Sequence, residues 1–151
     1  MNESMTEKSL LATSAIAAGM DSAHLSVLSD LAKYRTFQDG QVVMDDNDDS
    51  HSLFVLLEGR ASVEGTFHQE ISIAEAGSVL GELSFLDGKA RSATVRSIGV
   101  SRYAVLNREL LMGLKQEHPE VLAEVLFNIS ISLCLKLRST LRMLNALSAS
   151  L

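Results

Sequence analysis

Two charged side chains frame a stretch whose composition suits the capture of an anion. It reads Gly77-Ser-Val-Leu-Gly81-Glu82-Leu-Ser-Phe-Leu-Asp-Gly88-Lys-Ala-Arg91-Ser92-Ala93-Thr-Val95. Gly81 has no side chain to keep an anion off the backbone, and Leu83 to Leu86 can wind one short helical turn whose free N–H groups point at it. After a turn at Asp87 and Gly88, Arg91 adds a permanent positive charge with a forked donor geometry that matches phosphate oxygens. Together these parts make a site for one phosphate.

Glu82 narrows the ligand. A carboxylate beside a phosphate repels it unless the carboxylate accepts a hydrogen bond from a hydroxyl of the same ligand, and a ribose 2′-hydroxyl serves. The ligand so described is a ribonucleotide whose phosphate and sugar are fixed close together, as in a 3′,5′-cyclic phosphate and unlike an extended triphosphate. The other use of the pair is a partly exposed ion bridge on an empty scaffold, worth only ~0 to 1 kcal/mol. A ligand held at micromolar Kd gains about 8 kcal/mol.

Such a site needs strands on either side of it. From Gln41 to Tyr103 the apolar runs are short and rich in Val, Ile and Phe: Val42 to Met44, Leu53 to Leu57, Ala61 to Val63, Ile71 to Ile73, Thr94 to Val95 and Val100 to Leu106. Polar or glycine-containing turns separate them, the spacing of a compact antiparallel β-structure. The expected fold is mainly β within an α+β class: an antiparallel β-roll of the double-stranded, jelly-roll-like kind over about 38–106, with a helix before it and long helices after it. Residues 1–20 read as an N-terminal arm with one helix from Leu10 to Ala18. Asp21 is the expected N-cap of a helix carrying Leu25, Leu28 and Leu31, and residues 21–151 make up the domain.

After Asn107 the periodicity becomes helical, first over Glu109 to Gln116 and then, beyond a Pro119 suited to a first helical turn, in a long run to about Ser148. Leu126, Leu133, Thr140 and Leu147 fall at one heptad position and Leu137, Leu144 and Leu151 at its partner position, so the helix is expected to pair with a copy of itself. Ile129, Ile131 and Leu135, on other faces, are candidates for docking on the roll. Cys134, the chain's single cysteine, is expected as a buried structural thiol, which suits a reducing compartment.

The Gly77 to Val95 stretch resembles the phosphate-binding cassette of the cyclic-nucleotide-binding domain family, written there as Gly-Glu-Leu, a short helix, then Arg-Ala/Ser-Ala before the next strand. The resemblance extends from about Leu25 to Leu147: Phe37-Gln-Asp-Gly40 is similar to the family's turn into the first strand, and Leu53-Phe-Val-Leu-Leu-Glu-Gly59 to its Leu-Tyr-Ile-Ile-x-x-Gly. Asn47, where a glycine is common, and Ala90, where many eukaryotic members carry proline, depart from the pattern; Asn tolerates the left-handed region.

The resemblance implies that Glu82 holds the ribose 2′-hydroxyl and Arg91 the cyclic phosphate, with Gly81, Leu83, Ser92 and Ala93 offering donors nearby. It implies that Ser139 and Thr140 touch the purine, one of them from the second subunit of a homodimer. The Arg-Ser-Ala form is similar to that of bacterial catabolite activator relatives and leans toward cAMP over cGMP. The function implied is a bacterial, cytoplasmic cyclic-nucleotide sensor that signals through its C-terminal helix to a protein partner. The alternative is a ligand-free interaction scaffold or a regulatory fragment of a larger protein.

Other classes fit poorly. A net charge of −6 does not favour a broad nucleic-acid footprint, which needs a positive face. A helix-turn-helix of the kind that activator relatives place after the long helix would begin where this chain stops, at Leu151, so DNA reading by this chain alone is not expected. His24, His51, His68 and His118 are scattered without the paired spacing of a metal-holding roll, and no Gly-x-Ser-x-Gly elbow is present, so neither a metal nor catalysis is expected. Asp45 to Asp49 lack the loop glycine and terminal glutamate of a calcium loop and read as a solvated acidic turn. Val121 to Leu137 carries too many polar groups for a membrane span.

Overall fold

The structure, a computed structural model, describes residues 3–151. Helix α1 (Glu3–Ala12) leads through a 3-10 turn (Ala15–Ala17) to α2 (Ser22–Leu31), which is followed by strands β1 (Lys33–Phe37), β2 (Val42–Met44), β3 (Leu53–Glu64), β4 (Glu70–Glu75) and β5 (Val79–Leu80). The short helix α3 (Glu82–Asp87), the long strand β6 (Thr94–Leu106) and helices α4 (Arg108–Glu117) and α5 (Pro119–Ala149) complete the chain. All strand pairs are antiparallel, in the order β1-β6-β3-β4, with β2 also on β6 and β5 also on β3. The expected antiparallel roll with helices at both ends is the observed fold.

Two cores share one wall. Side chains alternate along a strand, so Leu53, Val55 and Leu57 of β3 join Ala104 and Leu106 of β6 beneath the helices, whereas Phe54 and Leu56 face the roll interior with Phe37, Met44, Leu80, Val95 and Tyr103. Cover on both faces is why Leu53 to Leu57 is apolar at every position. The helical core is closed by Leu11, Ile16, Leu28, Leu111, Val121, Val125 and Ile129.

Several boundaries differ from those the sequence suggests. The runs Leu53 to Leu57 and Ala61 to Val63 are one strand, β3, whose register with β6 shifts between Glu58 and Arg60. Gly59 sits at that shift with φ +87°, and a Cβ there would lie 2.4 Å from the Val100 carbonyl oxygen. Thr94 to Val95 and Val100 to Leu106 are likewise one strand, β6. Strands β1 and β5 went unrecognised because one is mostly charged or polar and the other is two residues long.

The N-terminal segment is the largest correction. Its helix ends at Ala12, not Ala18, because the hydroxyls of Thr13 and Ser14 turn back onto the carbonyls of Leu10 and Leu11 (2.9 and 2.6 Å) and close the last turn. Leu11 and Ile16 are fully buried, so this segment completes the core. Asp21 caps α2 as expected, accepting from the His24 backbone N–H at 2.8 Å. Cys134 is exposed rather than buried, because it lies on the outer side of α5 while its neighbour Leu133 is the one packed against the core.

Candidate functional site

The stretch from Val79 to Val95 folds as a strand, a short helix and a loop on one side of the roll. Gly81 ends β5 in the left-handed region (φ 82°) and forms the N-cap of α3. A Cβ at that position would lie 2.6 Å from Arg91 Nη1 and 3.1 Å from the Ser52 carbonyl oxygen, so glycine is required by conformation and by space. The N–H groups of Glu82, Leu83 and Ser84 open the helix with no carbonyl of their own helix to bond. Phe85 anchors α3 by reaching into the helical core, and its carbonyl accepts from Arg108 Nε at 2.6 Å. The far end is held by Ser84, which donates to the Lys89 carbonyl and meets His51 Nδ1, both at 2.7 Å.

Arg91 is almost wholly enclosed. Its Nε and Nη2 donate to one carboxylate oxygen of Asp48 (3.1 and 2.9 Å), Nη2 also to the Ser52 carbonyl (2.8 Å) and Nη1 to the Gly81 carbonyl (3.2 Å). A guanidinium has five N–H donors, so one Nη1 hydrogen is left over. Burial alone pushes the Asp48 carboxyl up, but hydrogen bonds from Ser50 and from Arg91, with the guanidinium charge, hold it below the usual aspartate value. The sequence reading of Asp45 to Asp49 as a purely solvated turn is therefore corrected at Asp48: this one carboxylate orients Arg91.

Glu82 is 4% exposed. Its Oε1 accepts from Ser132 Oγ at 3.0 Å and from Lys136 Nζ, and Lys136 also donates to the Val79 carbonyl at 2.7 Å. Neither α5 residue was anticipated. The signal was a serine and a lysine four apart, on one face of an otherwise apolar run, with a buried carboxylate in need of a counter-charge.

All eight sequence-predicted residues, Gly81, Glu82, Leu83, Arg91, Ser92, Ala93, Ser139 and Thr140, line a single cavity of about 550 Å³ between the roll and α5. That is within the range of small-molecule pockets, ~300–1,000 Å³. Its remaining wall is mostly apolar, with Met44, Ile71, Ile73, Leu133, Leu137 and Met143 among the contributors. Thr140 Oγ1 donates to the Lys136 carbonyl of its own helix at 3.0 Å, which leaves the oxygen's lone pairs for an incoming donor. Among the described residues no group of three or more histidine, cysteine, aspartate or glutamate side chains is placed to hold a metal ion, and no helix is long and apolar enough to cross a membrane.

The family model described as "Cyclic nucleotide-binding domain" matches residues 34–118. A lysophospholipase, nte1, of Aspergillus oryzae is 32% identical over 90 residues, which cover 57% of this chain and 6% of that protein; the chain thus corresponds to a small part of the curated relatives it matches. A cyclic nucleotide-binding domain from Methylobacillus flagellatus has the same fold at a TM-score of 0.78 and 21% identity, over 89% of this chain and 79% of the other. The catabolite activator protein of Thermus thermophilus superposes with a TM-score of 0.75 at 21% identity, over 89% and 63% of the two chains.

Proposed function

Because the chain belongs to the cyclic nucleotide-binding domain family, we propose that it is a receptor for a 3′,5′-cyclic nucleotide, cAMP in preference to cGMP, and a regulatory rather than a catalytic unit. The carrying observation is that Glu82 and Arg91, both buried, flank the open start of α3 in one cavity. In this reading the spare Nη1 hydrogen of Arg91, the N–H groups opening α3 and the donors of Ser92 and Ala93 take the cyclic phosphate. Glu82 accepts the ribose 2′-hydroxyl. Gly81 and Leu83 supply backbone, and the purine lies against the apolar wall.

Thr140 supports the preference for adenine. With its proton committed to the Lys136 carbonyl, its oxygen accepts only, and an adenine amino group is a donor where guanine carries a carbonyl. Ser139 lies beside it on the same wall. Beyond Lys136, α5 keeps Leu137, Leu141, Met143, Leu144 and Leu147 about half or more exposed. That apolar stripe is suited to the same helix of a second copy, and we read the functional unit as a cytoplasmic homodimer that presents α5 to a protein partner. Ligand binding moves such a helix only by its differential affinity for two positions.

Differential scanning fluorimetry tests this reading. At [L] = 100 Kd a ligand that binds only the folded state adds ~2.7 kcal/mol of stability, so saturating cAMP raises Tm by several degrees. Arg91→Ala abolishes that shift and weakens binding about 100-fold or more, since a charge-assisted hydrogen bond is lost along with the cation. Both charged residues are already partnered by protein groups, which is also what a ligand-free scaffold would show. A Tm indifferent to every cyclic mononucleotide would favour that second reading.

A further inference from the structure

Lys136 stands at a junction that the cassette itself does not explain. Its ammonium donates to the buried Glu82 carboxylate and to the Val79 carbonyl of β5, so one side chain joins α5 to both ends of the Val79–Glu82 turn. Together with Ser132 it occupies Oε1 of Glu82. No donor among the described residues reaches Oε2, which is not sealed from its surroundings, and Glu82 lines the cavity. Lys136, with Ser78, also borders both the main cavity and a second hollow of about 430 Å³ lined by Ala15, Gly77, Asn128 and Leu135. Beyond Lys136, no hydrogen bond or ion pair among the described residues joins α5 to the rest of the molecule. It is the outermost polar tether of the helix.

We propose that Lys136 is a positioning residue with two linked tasks, resting on the cyclic-nucleotide reading above. It cancels the charge of Glu82 and turns one carboxylate oxygen toward the ligand, and it latches the outer part of α5 to the cassette. A cavity that takes an anion carries a buried carboxylate, and without a cation against it that carboxylate repels the phosphate it shares the cavity with. With Lys136 in place the ligand hydroxyl takes Oε2 while Oε1 stays bound to α5. Occupancy of the sugar site is thereby communicated to the helix through one carboxylate.

Charge cancellation predicts a reversal of sign that a merely structural lysine would not produce. In the unmodified chain Glu82→Gln weakens cAMP binding. Lys136→Met alone also weakens it, about tenfold or more, the scale of a lost charged hydrogen bond. In the Lys136→Met background, however, Glu82→Gln strengthens binding, because it removes an uncompensated buried charge. Lys136→Arg keeps most of the affinity. Equal weakening by Glu82→Gln in both backgrounds, or no effect of Lys136→Met, would overturn the proposal.

The latch is tested without ligand. Cys134 is the single cysteine and is exposed, so a fluorophore there reports the motion of α5 by time-resolved anisotropy. Lys136→Met lowers the anisotropy of the ligand-free protein and Lys136→Arg does not; identical anisotropy in all three would refute the latch. A drop with Lys136→Met in a protein that binds no cyclic nucleotide would leave the latch standing and sink the nucleotide reading instead.

Discussion

The two halves of α5 are built from similar residues and face opposite circumstances. The root buries Val121, Leu122, Val125 and Ile129 against the body, and buried Asn128 staples it there by giving both amide hydrogens to the carbonyls of Ile16 and Ala18 (2.8 and 3.0 Å). The tip, from Leu137 onward, leaves its leucines in the open. Apolar content therefore does not distinguish a helix end that belongs to its own core from one that awaits a cover; the polar contacts do. Asn128 marks the end of the welded part and Lys136 the end of the tethered part, and the ligand cavity lies beside the segment that follows Asn128.

Substitutions sharpen that contrast. Ile129→Ala removes a fully buried side chain from the root and should cost about 2–5 kcal/mol in urea unfolding, whereas Leu144→Ala at the tip should change the stability of the monomer by less than about 0.5 kcal/mol. Equal costs would mean that root and tip are not different in kind. Asn128→Ala leaves two carbonyls at the 3-10 turn without their donor and should cost about 1–3 kcal/mol. Because Ala15 N–H also donates to the Gly77 carbonyl at 2.9 Å, the loss should speed amide exchange at the 3-10 turn more than at the tip. Deleting the residues after Leu137 should leave the fold intact and abolish self-association in analytical ultracentrifugation; a truncated protein that stays dimeric would remove the seam from the account.

The smallest effect concerns pH at the root. His24 of α2 meets Glu124 of α5 at 3.0 Å; that hydrogen bond, aided by Asp21 and Glu120 and opposed by desolvation, raises the histidine above its ordinary 6.5. A raised histidine contributes its stability in full below 6.5 and loses it as pH rises through the folded value. Tm should therefore fall slightly more between about pH 6 and pH 8 in the unmodified protein than in Glu124→Gln. Asp48 has the opposite sign: its lowered carboxyl contributes above its ordinary 3.8 and loses that contribution as pH falls through the folded value.

Much of this was legible in the sequence because the responsible features are local. The strand runs, the Asp21 cap, the Pro119 start of α5 and the glycine, glutamate and arginine of the cassette are each set by neighbours within a few positions, and all eight proposed contact residues meet at one cavity. What the sequence did not disclose depends on pairs far apart. Asp48 meets Arg91 across 43 positions, Lys136 meets Glu82 across 54, and Asn128 meets Ile16 across 112. The same holds for the N-terminal segment: Leu11 and Ile16 are too few and too irregularly spaced to announce a helix-and-turn plug, yet both are fully buried in the helical core. Cys134 is exposed although its neighbours are apolar because those neighbours do not share one buried face: Leu133 packs on the core, whereas Ile131 and Leu135 are exposed.

The most direct test is isothermal titration calorimetry on protein freed of co-purified ligand by unfolding and refolding, with cAMP, cGMP and adenosine as titrants. The account predicts one cAMP per chain, weaker cGMP, adenosine weaker still for lack of the phosphate, and no detectable heat when Glu82→Ala and Arg91→Ala are combined. No binding of either cyclic nucleotide by the refolded protein, or binding that survives the double substitution, would contradict it.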